Sequence, residues 1–360
     1  MEAGNLIVDT TARIFEDLGS PQHVNLARDD AWRQPLWGAL EEMGLTRTWV
    51  PDTLNGAGAG VTDGFEVLRV AGMYAVAVPL AETLIAGWAL ASAGIEVPLG
   101  PLAVIAAPPG ELTGREGAIA VDERGRLFGR ASGVAFGRDA DHLAVELQPE
   151  GTDASRKVAL VAASACRVHP GESLAGDPFD TVELDGVVPL ALGEPDARAV
   201  GGFTMGAAVR AMLMAGALQS VLDISVEYAT ERVAFERPIG KFQAVQHNLA
   251  RLAGEAAAAN ASANSCAYAI EQAGSYDEGV FIEVASAKIR VGEAAYEGGM
   301  IGHQTHGAIG FTREHILHRY THRLWSWRDE FGDEAHWAAA LGARIASGGA
   351  DGLWPILTRI

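Results

Sequence analysis

From the start of the chain to about Ile95, apolar residues recur at helical spacing, as in Trp37, Leu40, Met43 and Gly44 and again in Phe65, Leu68, Val70 and Gly72. The first third therefore reads as packed helices. NGAGAG, running from Asn55, falls between two of them; without a preceding β run or a Lys-Ser/Thr ending it reads as a turn rather than a phosphate loop. The pattern changes at Pro98, where prolines and glycines punctuate short alternating runs such as AIAV, RLFG, DHLAVEL, KVALVAA and TVELDGVVPLAL. This region reads as a small β domain ending near Val200. Long helical stretches then return over 203–235, 242–272, 277–301 and 313–330, with few breakers inside them, and four such helices on short connections predict an antiparallel bundle. The expected plan is α+β: an N-terminal helical domain over 1–97, a small, reduced β domain over 98–200 and a C-terminal four-helix bundle within 201–360.

Composition removes several classes of function. A net charge of −19 opposes wrapping nucleic acid, which needs clustered Lys and Arg, but leaves room for a small anion held by a few local cations. Cys166 and Cys266 are the two cysteines and stand far apart, so neither a disulfide framework nor a zinc finger is expected. The acidic N-terminal segment lacks the basic start of a secretion signal, and the apolar stretch 74–95 is broken by Pro79 and Glu82, so it reads as a buried helix and not a membrane span. The cytoplasm is the expected compartment.

Two segments carry chemistry. In ERVAFERPIGKFQAVQHNLARLAG, from Glu231, an Arg, a Phe, an Ile-Gly turn and a Phe-Gln pair stand at fixed intervals, and QTHGAIGF, from Gln304, sets a Gln ahead of a glycine turn. Both resemble signature blocks of the acyl-CoA dehydrogenase family, in the same order and between the same kind of helices, and WGALEEMGLTRTWVPDTLNGAGAG resembles the family's N-terminal helix and Pro-containing loop. The resemblance is strongest after Gly201 and weakest over 98–200. It implies FAD: Arg232 and Gln304 as donors to the diphosphate, Phe235 against the adenine, Phe242 and Gln243 beside them, and Gly307 and Gly310 forming the close turn. An always-charged planar Arg suits a diphosphate, and glycines admit close backbone approach. The family's bundle presents these groups to an FAD whose flavin lies in a neighbouring subunit. One departure is Glu236, which stands where the family has a glycine and can either repel the diphosphate or pair with Arg237.

Dehydrogenation of an acyl-CoA thioester needs a carboxylate base for the α proton. The family places it at one of two sites. Counted back from Arg232, the helix site falls at Gly206; counted forward from Gln304, the loop site falls at Phe331, beside Glu330 in WRDEFGDE. Glu330 supplies the base only after a shift of one residue, with Asp329 the weaker substitute, and the same acids, with Asp333 and Glu334, read equally as a solvated helix end. The family's Thr-Glu-Pro and Gly-Ser-Asp flavin segments are missing as well. Together these departures resemble the partner subunit of α2β2 bacterial steroid side-chain acyl-CoA dehydrogenases, which implies a second dehydrogenase subunit and an electron-transfer flavoprotein as acceptor. A self-sufficient homotetramer using Glu330 and a non-catalytic structural subunit stay open. His303, His306, His315, His318 and His322 lie close in sequence, but their spacing lacks the closed, carboxylate-supported set of a zinc or iron site, and no metal is expected.

Overall fold

The structure, a computed structural model, describes residues 3–107, 119–147, 156–349, 353, 354 and 358. Pro108, Pro109 and Ala118, which fall within the expected opening of the β domain, lie outside the described residues. The N-terminal region is helical as expected: α1 (Ala3–Gly19), α2 (Pro21–Leu26), α3 (Arg33–Glu42), α4 (Val61–Met73) and α5 (Leu80–Ser92). Pro79 stands at the N-cap of α5, where its missing N–H costs nothing, and the helix behind it is buried almost throughout. The stretch 74–95 thus holds a core helix. NGAGAG is a turn, with Asn55 in the left-handed region after a short 3-10 helix.

Eight short strands follow: β1 (Leu102–Ile105), β2 (Ala120–Val121), β3 (Leu127–Ala135), β4 (His142–Leu147), β5 (Lys157–Ala162), β6 (Arg167–His169), β7 (Phe179–Val187) and β8 (Ala191–Gly193). They form two four-stranded sheets, ordered β1-β4-β5-β8 and β2-β3-β7-β6. β1 runs parallel to β4, and the other pairings are antiparallel. Leu127, Leu143, Val145, Val161, Val182 and Leu184 fill a separate core between the sheets, the inward half of the alternation seen in the sequence.

The bundle is α6 (Gly202–Glu231), α7 (Gln243–Ala273), α8 (Glu278–His306) and α9 (Leu317–Asp329), each within a few residues of its expected limits. Antiparallel pairing of α7 and α8 shows in Arg251 to Glu297, Arg290 to Glu255 and Ser265 to Glu283. A further helix, α10 (Glu334–Ser347), was not anticipated; Asp333 caps it by accepting from the His336 amide at 2.8 Å. α6 is long and apolar enough to cross a membrane, but 83% of its apolar window is buried inside the protein, so it reads as the central helix of the core. Gly72 and Gly216 let α4 and α6 touch backbone to backbone, since a Cβ at either would strike the other helix's carbonyl. Ser220 and Tyr320 both donate to Met73 O, at 2.7 and 2.8 Å, tying the bundle to the N-terminal helices.

Candidate functional site

The residues expected to meet a dinucleotide converge on one end of the bundle. α6 and α8 run side by side in the same direction, as Gly298 against Leu218, Gly302 against Val221 and His306 stacked on Tyr228 at 4.5 Å show. The ends of α6 and α8 therefore coincide with the starts of α7 and α9. Arg232 is the C-cap of α6, exposed, and makes no ion pair among the described residues. Gln304 is exposed on the last turn of α8. Gly307 ends that helix with φ 63, and Gly310 is buried so tightly that a Cβ there would lie 3.0 Å from both His306 and Leu317.

Between α6 and α7 stands a two-residue hairpin, β9 (Val233–Ala234) paired antiparallel with β10 (Arg237–Pro238). Its turn residues, Phe235 and Glu236, have φ 51 and 65, the mirror-image turn that suits tight hairpins and prefers Gly or Asn. Phe235 is 89% exposed at this tip, edge-on to Phe242 at 6.1 Å. Arg237 does not pair with Glu236; its guanidinium covers the Phe242 ring at 4.3 Å. Gln243 opens α7 directly after Phe242. An unpaired guanidinium, a free amide, an exposed aromatic ring and an open glycine turn on one face fit a ligand with a diphosphate and an aromatic base.

The second feature lies near the other end of α6. A cavity of about 830 Å³ is bounded by β1, β3, Phe179, the start of α6 and the turn after α9. One of its walls carries no signal along the chain. Ala131 pairs with Val182 and Val134 with Asp180, so Ser132 and Gly133 bulge from β3 into the cavity. Bulges recur beside functional sites because they re-aim side chains.

Glu330 lines this cavity but is neither solvated nor free. Its side chain is 10% exposed and accepts from Arg210 Nε at 2.8 Å and Nη2 at 2.7 Å, while Arg210 Nη2 also reaches Glu82 Oε1 at 2.6 Å. Burial holds the Glu330 carboxyl above its ordinary value, against the opposing pull of the Arg210 charge. Lys288, also buried, donates to Trp327 O at 3.3 Å and Arg328 O at 2.6 Å, the last carbonyls of α9, and burial lowers its amine to about 8. The acids that read as a solvated helix end instead form a tight turn: Asp333 caps α10, Glu334 pairs with Arg328, and Trp337 Nε1 donates to Phe331 O at 2.9 Å.

The two positions where a base was sought, Gly206 and Phe331, meet in space. A Cβ at Gly206 would lie 2.5 Å from the Phe331 ring, which packs edge-on to Phe203 at 6.0 Å and under Arg210 at 5.5 Å. Counts from two motifs 72 residues apart, at Arg232 and Gln304, thus point to one spot, and that spot holds a glycine and an aromatic ring. Phe331 takes φ 54, strained for a bulky residue, and the buried ion pair of its neighbour holds it there.

The histidines form a ring-packed cluster, and among the described residues no group of three or more His, Cys, Asp or Glu is placed to hold a metal ion. His306 stacks on Tyr228, His303 on Phe311 at 4.1 Å, and His322 packs near Trp325.

Comparison with known proteins gives the same picture. The acyl-CoA dehydrogenase C-terminal domain family matches residues 197–329. Acyl-CoA dehydrogenase FadE27 of Mycobacterium tuberculosis is 29% identical over 87% of this chain and 88% of its own length. Among solved structures, the ChsE4-ChsE5 complex from Mycobacterium tuberculosis superposes with a TM-score of 0.82 at 25% identity, covering 97% of this chain and 99% of that one. A Tcur3481-Tcur3483 steroid ACAD variant gives 0.82 at 26%, covering 96% and 98%. Butyryl-CoA dehydrogenase from Megasphaera elsdenii, at 17% identity, shares the fold, with a TM-score of 0.80 and coverage of 96% and 98%.

Proposed function

We propose, from the match of residues 197–329 to the acyl-CoA dehydrogenase C-terminal domain and the likeness to acyl-CoA dehydrogenases over most of the chain, that it is one subunit of an FAD-dependent acyl-CoA dehydrogenase, supplying the diphosphate half-site to a partner subunit that carries the base. The observation that carries this reading is the contact between Gly206 and Phe331, which fills both base positions with groups that cannot take a proton. Bound FAD supplies the hydride acceptor. This chain's own part is to bind and orient: Arg232 offers a fixed charged fork, Gln304 an amide, and the 307–310 turn a backbone close to the diphosphate. Arg210 and Arg232 are 22 residues apart, about 33 Å at 1.5 Å per helical residue. The cavity and the diphosphate face of one chain are therefore too far apart to share a cofactor, which supports a site completed between subunits. The relatives in the ChsE4-ChsE5 complex and the steroid ACAD support a mixed assembly and a bulky, ring-bearing acyl group. An electron-transfer flavoprotein is the acceptor this reading expects.

Expression alone and with a co-encoded second dehydrogenase subunit, followed by flavin spectra and turnover of acyl-CoA thioesters, tests it. Little flavin and no turnover alone, with both restored in the complex, is the expected result. A stoichiometric yellow protein that turns over by itself would defeat the proposal. Glu330→Gln in the complex sharpens the test: turnover should stay within a few fold, because the Glu330 carboxylate is engaged by Arg210. Loss of several orders of magnitude with flavin retained would return the base to Glu330 and favour the self-sufficient enzyme.

A further inference from the structure

The segment that leads into α9 and forms its first half is basic within an acidic chain. Over 313–323 it carries Arg313, Arg319, Arg323, His315, His318 and His322 against one acid, Glu314, in a protein of net charge −19. Arg319 and Arg323 stand one helical turn apart and so share a face. Arg323, 2% exposed, gives Nη2 to Asp177 at 2.6 Å and Nη1 to the Arg319 carbonyl at 3.0 Å. Arg319 is half-buried, and its guanidinium makes no ion pair among the described residues. The neighbouring charges are already matched: Asp177 by Arg323, and Arg33 at the start of α3 by Asp30 at 3.5 Å and Asp139 at 3.3 Å. The Nε atoms of both Arg319 and Arg323 are shut off from solvent and find no acceptor among the described residues. A buried donor left without an acceptor costs more than an ordinary hydrogen bond contributes. Burial, and after it the Arg323 charge, holds Arg319 down to about 10 against the pull of Asp177. Burial, and further the charges of Arg319, Arg323 and Arg313, keep His318 below its ordinary value.

We propose that Arg319 and Arg323 form a binding site for a small oxyanion of the phosphate class, which accepts from the two Nε–H groups and balances the charge of Arg319. The site goes beyond the proposed function, since it uses neither Arg232 and Gln304 nor the cavity beside Glu330. Its chemical logic is two guanidinium groups on one helix face with one acid between them. A neutral ligand would leave the Arg319 charge unanswered, and a metal cation would be repelled by it. A planar carboxylate is filled by the fork of a single Arg, whereas a tetrahedral oxyanion has oxygens enough for donors from two. Asp177 occupies the outer nitrogen of Arg323, so the remaining capacity is for one small anion.

The test is calorimetric titration of inorganic phosphate into the full chain in its purified assembly, with FAD added and ionic strength held constant with chloride. Saturable phosphate binding is expected, with sulfate competing and chloride not. Arg319→Met should weaken phosphate about tenfold, the loss of one charge-assisted contact, and Arg319→Lys should weaken it less because the charge remains. Asp177→Asn removes the acid that competes for Arg323 and should tighten phosphate several fold, a gain that damage to the fold cannot mimic. Phosphate should raise the melting temperature of wild type and not that of Arg319→Met. Equal phosphate affinity in wild type and Arg319→Met would overturn the proposal, as would an Asp177→Asn variant that binds no tighter or stabilisation that chloride reproduces. Adenosine 3′,5′-bisphosphate separates the sources of the anion: binding tenfold tighter than phosphate, and lost in Arg319→Met, assigns the site to a nucleotide's phosphate, whereas equal or weaker binding assigns it to free phosphate. Flavin content is measured on the same variants and should stay at the wild-type level. Loss of flavin together with phosphate in Arg319→Met would make the site part of the flavin face and defeat this inference, while loss of phosphate alone leaves the proposed function untouched.

Discussion

The two ends of α6 are built on opposite principles. At its C-terminal end Arg232, Gln304 and Phe235 stand in solvent, and Arg232 makes no ion pair among the described residues. Near its N-terminal end Arg210 is 1% exposed and clamped between two carboxylates. An exposed polar residue is satisfied by water and free to be displaced onto a ligand, whereas one locked into a buried triad is committed to its partners. The contrast teaches which end acts outward. The open end holds its charged and aromatic groups in solvent, and the closed end fixes the architecture of the cavity beside Glu330.

The largest effect should come from breaking the closed end. Arg210→Met strands the Glu82 and Glu330 carboxylates in the interior, and loss of one partner from a buried ionic group costs about 3–5 kcal/mol. A shift of the urea midpoint at constant slope measures it. Adding Glu82→Gln and Glu330→Gln to Arg210→Met should recover part of the loss. If the single and triple variants are equally stable, the triad is not what holds Phe331 over Gly206.

Next in size is the open end. Arg232→Ala should weaken FAD by ten- to a hundredfold, about 1.5–3 kcal/mol for one charge-assisted contact, with stability barely changed because Arg232 makes no ion pair to lose. Gln304→Ala should cost less, since its donor is neutral, and Arg232→Lys should rescue only part, keeping charge but losing the planar fork. Flavin per complex after gel filtration is the measurement. Unchanged occupancy in Arg232→Ala would remove the distinction between an outward-acting end and a merely solvated one.

This contrast was only half legible in the sequence. The long helices were readable because few breakers interrupt them, and the open end because Arg232, Gln304 and the 307–310 glycines carry a motif whose spacing is local. The closed end was not. Arg210 lies 128 residues from Glu82 and 120 from Glu330, so no window along the chain contains their pairing. The acidic run 329–334 looked solvated because sequence shows charge density and not its partners, and α10 was missed although Asp333 stood at its N-cap position. What the sequence did deliver was that the two counted base positions fall on Gly206 and Phe331, beside Glu330, and their meeting in space is a fact of the fold alone.

A smaller, pH-dependent effect follows from the histidines under the open end. His306 is buried and held to the Gly302 carbonyl at 2.8 Å, while burial and the neighbouring His315 and His303 lower its value from 6.5 to about 4. The unfolded chain therefore takes up a proton near pH 6.5 that the folded chain refuses until about pH 4. Stability is full above pH 6.5 and falls as the pH drops through that window. His303, His315, His318 and His322, also lowered by burial, add to the slope. Melting temperature between pH 7 and 5 should fall more steeply in wild type than in His306→Gln. Parallel curves would show that the cluster is not titrating.

The smallest expected effect separates strain from charge at the hairpin tip. Glu236 sits at φ 65, where an L side chain pays a steric cost of about 1 kcal/mol that glycine does not. Glu236→Gly should therefore stabilise the fold by less than about 1 kcal/mol, because the gain in the turn is partly offset by glycine's larger entropy when unfolded. The charge acts on a different quantity. Glu236 has no pairing with Arg237, whose guanidinium covers Phe242, so its negative charge stands uncompensated next to Phe235 on the face proposed for the diphosphate. Glu236→Gln keeps the strain and removes the charge, and should tighten FAD by a few fold, more at low salt than at high, without moving the melting temperature. Glu236→Gly should do both. If Glu236→Gln leaves FAD affinity unchanged at every salt concentration while Glu236→Gly improves it, the departure from glycine matters through backbone shape alone, and the open end would then recognise its ligand by the geometry of the turn rather than by the balance of charge around Arg232.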